Sequence, residues 1–165
     1  FRRVLFRSGV GAFGDAMREL RARGLVDPIV EHVRADRPFF GICMGLQLLF
    51  ETGWEGGEHR GLGLLEGDVA RFDLPGGMKV PHMGWNTVAW TPAAGDRTGP
   101  AADWYYFVHS YVARPRDPGV IAGHPEHGTA FCSAVTRGRL YATQFHPEKS
   151  QEAGMRLLRA FAAGR

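Results

Sequence analysis

With 165 residues the chain has the length of one domain, large enough to bury its own core, and 44% hydrophobic with 12% aromatic content is ordinary for a globular protein. Twenty basic residues are interspersed with seventeen acidic ones, so the net charge of +3 makes a mixed field that does not imply a nucleic-acid partner. Cys43 and Cys132 make no disulfide framework and have no zinc-ligand spacing, no apolar run approaches the roughly 18 residues of a membrane helix, and no signal series is visible. A soluble, unexported protein of the reducing cytoplasm is the expectation.

The first residue is Phe1, and FRRVLFRS leads abruptly into what reads as the middle of a fold. Residues 1–8 are therefore expected to be a non-native scar or a truncated start, VLFRS matching the translation of a common adapter. Asp15 to Gly24 predicts a short amphipathic helix, and Asp27-Pro28 predicts a second, with an aspartate cap and proline at its first position. Pro38 to Ile42 reads as a strand running directly into Cys43, and Gly45 to Glu51 as a helix leaving it. Glycines from Gly53 to Gly67 predict a loop, and PHMGWN (81–86), with its proline and glycine, reads as a loop between strands. Five strands are expected at 68–72, 87–90, 104–111, 129–135 and 140–145, and then a helix capped by Ser150 with Met155, Leu158, Phe161 and Ala162 on one face. This order predicts an α/β domain with a mixed sheet.

Cys43 stands in Gly41-Ile42-Cys43-Met44-Gly45, the cysteine counterpart of the G-x-S-x-G nucleophile elbow. A sharp strand-to-helix turn drives the side chain outward, the flanking glycines leave room for it, and the following helix start favours thiolate while Met44 offers its N–H to an oxyanion. Cys132, without glycine flanks, reads as structural and mid-strand. A cysteine nucleophile needs a base and an orienting acid. Among seven histidines, His146 follows a strand end with Glu148 two residues on, so in extended backbone both point the same way. A second His-Pro-Glu, at His124 to Glu126, has no clear strand leading into it and reads as a decoy; His124 and His127 are only a weak metal pair.

Cys43, His146 and Glu148 in this order resemble the triad of the class I glutamine amidotransferases. PHMGWN (81–86), YFVHSY (106–111), QFHPEKS (144–150), GVGAF (9–13) and GICMGLQLLFE (41–51) narrow the resemblance to the glutaminase-subunit family of imidazole glycerol phosphate synthases, from about Gly9 to the C-terminus. The resemblance implies a flavodoxin-like α/β fold: a mixed, largely parallel sheet flanked by helices, with the cysteine on the elbow. It makes residues 9–165 the amidotransferase domain, incomplete at its N-terminus. It implies Val10 as the second oxyanion donor opposite Met44; Gly11, Gln47, Glu55, Ser110 and Tyr111 as glutamine-binding residues; and Trp85, Tyr106 and Lys149 as a face that meets a (β/α)8-barrel cyclase in a heterodimer. No metal or organic cofactor is implied. Glutamine would be hydrolysed and its ammonia passed to the cyclase for histidine biosynthesis. Gln47 also fits a solvated helix residue and Glu55 a loop charge. Another class I glutaminase (for anthranilate, guanylate or pyridoxal phosphate synthesis) and a catalytically silent binding subunit stay open. A dinucleotide-binding oxidoreductase is favoured only by GVGAFG (9–14), without the second strand and acidic residue that such a site needs.

Overall fold

The computed structural model describes residues 4–6, 12–76, 78–97 and 103–164. In chain order the elements are β1 (Val4–Phe6), α1 (Phe13–Ala22), α2 (Val26–Arg34), β2 (Phe39–Ile42), α3 (Met44–Gln47), β3 (Phe50–Gly53), β4 (His59–Arg60), β5 (Leu65–Arg71), β6 (His82–Thr87), β7 (Ala89–Trp90), β8 (Trp104–His109), β9 (Tyr111–Pro115), β10 (Ile121–His124), β11 (Ala134–Arg137), β12 (Leu140–Thr143) and α4 (Gln151–Ala162). A 3-10 turn over Pro147–Lys149 joins the last strand to α4.

A six-stranded mixed sheet, ordered β1-β2-β12-β11-β10-β7, forms the centre. It is parallel through β1, β2 and β12 and antiparallel from β12 to β7. Because successive strand residues face opposite ways, Phe39, Leu140 and Ala142 join one core with α1, α2 and β5, while Phe40, Tyr141 and Phe145 join a second with α4 and β8. Helices and smaller sheets thus cover both faces of the central strands. One small sheet is β4-β3-β5-β9; the other is the antiparallel ribbon β6-β8.

Several expected elements sit elsewhere. The helix expected over Gly45 to Glu51 stops at Gln47, and Phe50–Gly53 is a strand instead. Leu46, Leu48, Leu49 and Phe50 are all buried, so this stretch lacks the polar face of a surface helix. The glycine-rich segment holds β4 and the start of β5, and PHMGWN is mostly strand β6 rather than loop. A strand, β10, does lead into His124, while Cys132 makes only an isolated bridge to Ala113. The second helix starts one residue before Asp27, without a side-chain cap.

The buried face of α4 is Gly154, Leu157 and Phe161, with Met155 exposed. The helix lies so close to the Pro147–Lys149 turn that a Cβ on Gly154 would stand 1.8 Å from the Pro147 carbonyl oxygen. Gly154→Ala is expected to destabilise the fold by about 2 kcal/mol or more, since backbone must move to admit the methyl; chemical denaturation, with a Gly76→Ala control where no atom lies within 4 Å, checks this.

Candidate active site

The parallel pairing of β2 with β12 runs in register from Phe39 opposite Leu140 to Ile42 opposite Thr143. Both strands therefore end side by side, and the residues that follow them, Cys43 on one and Gln144 to His146 on the other, meet at that edge. Cys43 has φ 52° and ψ −105°, a left-handed geometry that a non-glycine residue rarely adopts. Its N–H donates to the Thr143 carbonyl at 2.7 Å, which holds the turn against β12. Gly41 is required here: a Cβ on it would lie 2.7 Å from the Gly45 carbonyl oxygen. Met44 is the first residue of α3, so its N–H has no partner within the helix. With only four residues, α3 offers a far weaker dipole than the longer helix expected from sequence.

His146 is 2% exposed, and its Nδ1 lies 2.8 Å from Glu148 Oε1. A carboxylate accepts only, so Nδ1 carries the hydrogen and Nε2 is left as the basic nitrogen. The pair is made by the 3-10 turn rather than by extended backbone. Nε2 is buried and makes no hydrogen bond within bonding geometry, yet the nearby Cys43 sulfur acts on the ring. Burial opposes the imidazolium, but Cys43 and then Glu148 outweigh it and lift the His146 pKa to about 9. Burial likewise works against charge on Glu148, and the hydrogen bond from His146 holds its carboxyl below the ordinary value.

Ser150 proves to be a fastener of this turn instead of a helix cap. Its hydroxyl donates to the His146 carbonyl at 2.6 Å and accepts from the Tyr106 N–H at 3.0 Å, while the His146 N–H donates to the Tyr106 carbonyl at 2.9 Å. The turn that bears His146 is thereby tied to β8 by two hydrogen bonds and closed on itself by the third.

Gln47 is 4% exposed, not a solvated helix residue; its Nε2 donates to the Tyr111 carbonyl at 3.3 Å and to Gln144 Oε1 at 3.0 Å. Gln144 lies between Gln47 and Cys43, with Nε2 3.5 Å from the Cys43 sulfur. Sequence reasoning quoted Gln144 within QFHPEKS and gave it no role; its position directly after β12, level with Cys43, is the signal that was there to use. The Glu55 carboxylate accepts from the Phe13 N–H at 2.8 Å, at the start of α1. Ser110 sits in the bend between β8 and β9, its carbonyl accepting from the Phe72 N–H at 2.8 Å, and Tyr111 opens β9. Val10 and Gly11 lie outside the described residues.

Trp85, Tyr106 and Lys149 come together on the surface. Trp85 stands opposite Tyr106 across the β6-β8 ribbon, their rings edge to face at 5.8 Å, and Lys149 Nζ lies 5.8 Å from the Tyr106 ring centre. The inner side of the same ribbon buries His82 and His109, whose Nδ1 and Nε2 are 3.0 Å apart, with His127 stacked on His82 at 4.1 Å. Cys132 is buried, and that burial pushes its thiol up to about 12, as suits a structural residue. Among the described residues no group of three metal-ligating side chains occurs, and no helix is long and apolar enough to cross a membrane.

A cysteine on a strained strand-to-helix elbow, facing an imidazole held by a carboxylate, is the arrangement of a cysteine hydrolase or acyl transferase. The family model for glutamine amidotransferase class-I matches residues 1–164, and the chain belongs to that class. Within the class it groups with proteins named imidazole glycerol phosphate synthase subunit HisH. It is 55% identical over 158 residues to that of Rhodopirellula baltica, covering 96% of this chain and 77% of the relative. It is 49% identical to that of Syntrophotalea carbinolica (93% and 77% covered) and 47% identical to that of Aquifex aeolicus (96% and 76% covered). The fold is that of a solved glutamine amidotransferase (TM-score 0.69, 21% identity, 98% of this chain and 76% of that one) and of PurLQS from Thermotoga maritima (TM-score 0.69, 13% identity, 98% and 79%).

Two pH responses are expected. Burial, reinforced by neighbouring histidines, depresses His82 to about 4 and His109 to about 3 from the usual 6.5. Both must stay neutral in the fold, so their contribution is complete above about pH 6.5 and is lost as pH falls from there towards 4. Stability should drop by about 2 kcal/mol per histidine between pH 7 and 5, and less steeply in His82→Phe, as read from denaturation midpoints. His146, by contrast, is raised, so an NMR titration of its ring should show a midpoint near 9 that falls in Glu148→Gln.

Proposed function

We propose that this chain hydrolyses glutamine to glutamate and ammonia as the glutaminase subunit of an imidazole glycerol phosphate synthase, with Cys43 as nucleophile, His146 as base and acid, and Glu148 as its orienting group. The observation that carries this reading is the left-handed Cys43 at the end of β2, beside an imidazole whose Nδ1 is fixed by Glu148 at 2.8 Å. The Cys43 thiol gives its proton to His146 Nε2, and the sulfur attacks the side-chain amide carbon of glutamine and forms a C–S bond. The carbonyl oxygen becomes an oxyanion taken up by the N–H groups of Met44 and Val10. His146 hands its Nε2 proton to the departing nitrogen, the C–N bond breaks and ammonia leaves a glutamyl thioester. The now neutral imidazole removes a proton from water, which attacks the thioester; glutamate departs and the thiol is restored. Gln47, with both amide hydrogens engaged inside the protein, keeps its carbonyl for the substrate ammonium. Gly11, Glu55, Ser110 and Tyr111 complete the glutamine site, Glu55 by exchanging its bond to the start of α1.

Ammonia then passes to a (β/α)8 cyclase that docks on the face of Trp85, Tyr106 and Lys149, the pair forming a heterodimer in the cytoplasm. Trp85 is 44% exposed on a strand that ought to bury an indole, and Lys149 adjoins Glu148, so the patch reaches the triad. Cys43→Ala and His146→Ala are each expected to lower glutamine hydrolysis at least about a thousandfold while ammonia-dependent synthesis by the cyclase continues. His124→Ala should hydrolyse glutamine at the parental rate. Adding cyclase should raise glutamate release, and Trp85→Ala should weaken association by about 2 kcal/mol or more. Retained hydrolysis by Cys43→Ala overturns the triad; unchanged affinity in Trp85→Ala overturns the docking face.

A further inference from the structure

The Gln144 carboxamide is buried in a line of polar groups whose donors and acceptors leave no choice of direction. The line starts at the Tyr111 carbonyl, which can only accept. One of its lone pairs takes His109 Nδ1 at 3.0 Å and the other takes Gln47 Nε2 at 3.3 Å. Gln47 must therefore turn its amino group, not its carbonyl, towards Tyr111. The second hydrogen of that amino group meets Gln144 at 3.0 Å, so Gln144 must present its carbonyl oxygen there. The amino group of Gln144 is then left pointing the other way, 3.5 Å from the Cys43 sulfur. Reversing either amide would set two donors or two acceptors face to face, in residues with 0% and 4% exposure, where an unmade hydrogen bond is costly. His109 adds to the constraint: since its Nδ1 donates, its Nε2 accepts from His82 Nδ1 at 3.0 Å, and neither ring is free to swap.

We propose that Gln144 is a further catalytic residue of this site, whose amide N–H donates to the Cys43 sulfur, stabilises it as the thiolate and aims it at the substrate. This rests on the reading of Cys43 as the nucleophile. A hydrogen bond favours whichever form accepts it better, and a thiolate accepts far better than a thiol. The contribution matters here because α3 has a single turn and supplies little dipole. The polar line replaces part of what a longer helix would give. It also couples the nucleophile to substrate binding, because Gln47, which orients Gln144, is the same side chain that meets the glutamine ammonium.

The test is the rate of iodoacetamide alkylation of Cys43 against pH in the full chain, followed by mass spectrometry of the peptides carrying Cys43 and Cys132. Gln144→Leu removes the donor at similar size, and Gln144→Glu puts an anionic acceptor in its place; circular dichroism melts confirm that each is folded. The profile midpoint should rise by about one pH unit in Gln144→Leu and further in Gln144→Glu. A packing role alone would change the plateau rate through access and leave the midpoint where it was. Coincident midpoints in the parent and whichever variant folds overturn the proposal. Failure of both variants to fold would also overturn it, by making Gln144 a structural residue. Glutamine hydrolysis by Cys43→Ser, measured in parallel, keeps the two readings apart: if hydrolysis persists, the nucleophile is wrong, whereas lost hydrolysis with coincident midpoints removes only the role of Gln144.

Discussion

The in-register parallel pairing of β2 with β12 is the constraint on which the site depends. Neither strand carries the chemistry; each delivers it at its carboxyl end, and the hydrogen-bond ladder decides that the two deliveries arrive together. A slip of one residue would turn Phe40 and Tyr141 to the opposite core and move Gln144 away from Cys43. The last rung is shared: Cys43 N–H bonds to Thr143 C=O, so the elbow is itself a continuation of the sheet. The left-handed turn at Cys43 is strained, and this rung together with the close approach of Gly41 to Gly45 is what holds it.

Support for the second half of the site comes from α4. Gly154 lets the helix press on Pro147, Ser150 bridges the His146 carbonyl and the Tyr106 N–H, and Phe161 packs edge to face on Phe40 at 5.0 Å. The imidazole thus rests on a turn clamped between a helix and a strand, and Glu148 has only to fix its tautomer and rotation. The ring is placed by backbone contacts, with the Glu148 carboxylate holding Nδ1.

The site's geometry was legible in the sequence where it is local. Gly41-x-Cys43-x-Gly45 announces a tight turn because only glycine tolerates the approach that the turn demands, and His146-Pro147-Glu148 announces an imidazole with a carboxylate to hold it. Long-range features were less readable. PHMGWN contains proline and glycine and reads as a loop, yet cross-strand pairing with Trp104 to His109 makes most of it a strand. Residues 45–51 have helical composition, but burial on all sides converts the second half to β3. Ser150 stands where a cap belongs and spends its hydroxyl on the His146 turn because a buried partner was nearer. Gln144 went unread for the same reason: its role needs Gln47 and Tyr111, distant in sequence, to be placed first. Glu55 was read for substrate, and the structure adds its bond to the start of α1.

The β6-β8 ribbon has two unlike sides. Outward it shows Trp85 and the ring of Tyr106; inward it packs His82, Phe107 and His109. It hydrogen-bonds as its own two-stranded sheet, separate from the central one. Tyr106 is the point where surface and interior join, since its ring faces solvent while its N–H and C=O are both taken by the turn that bears His146. Pressure on that ring from a neighbouring body would reach the imidazole through main-chain bonds alone, without any rearrangement of the core. The ribbon is in this sense a push-rod, with its handle on the outside of the molecule and its tip at the imidazole.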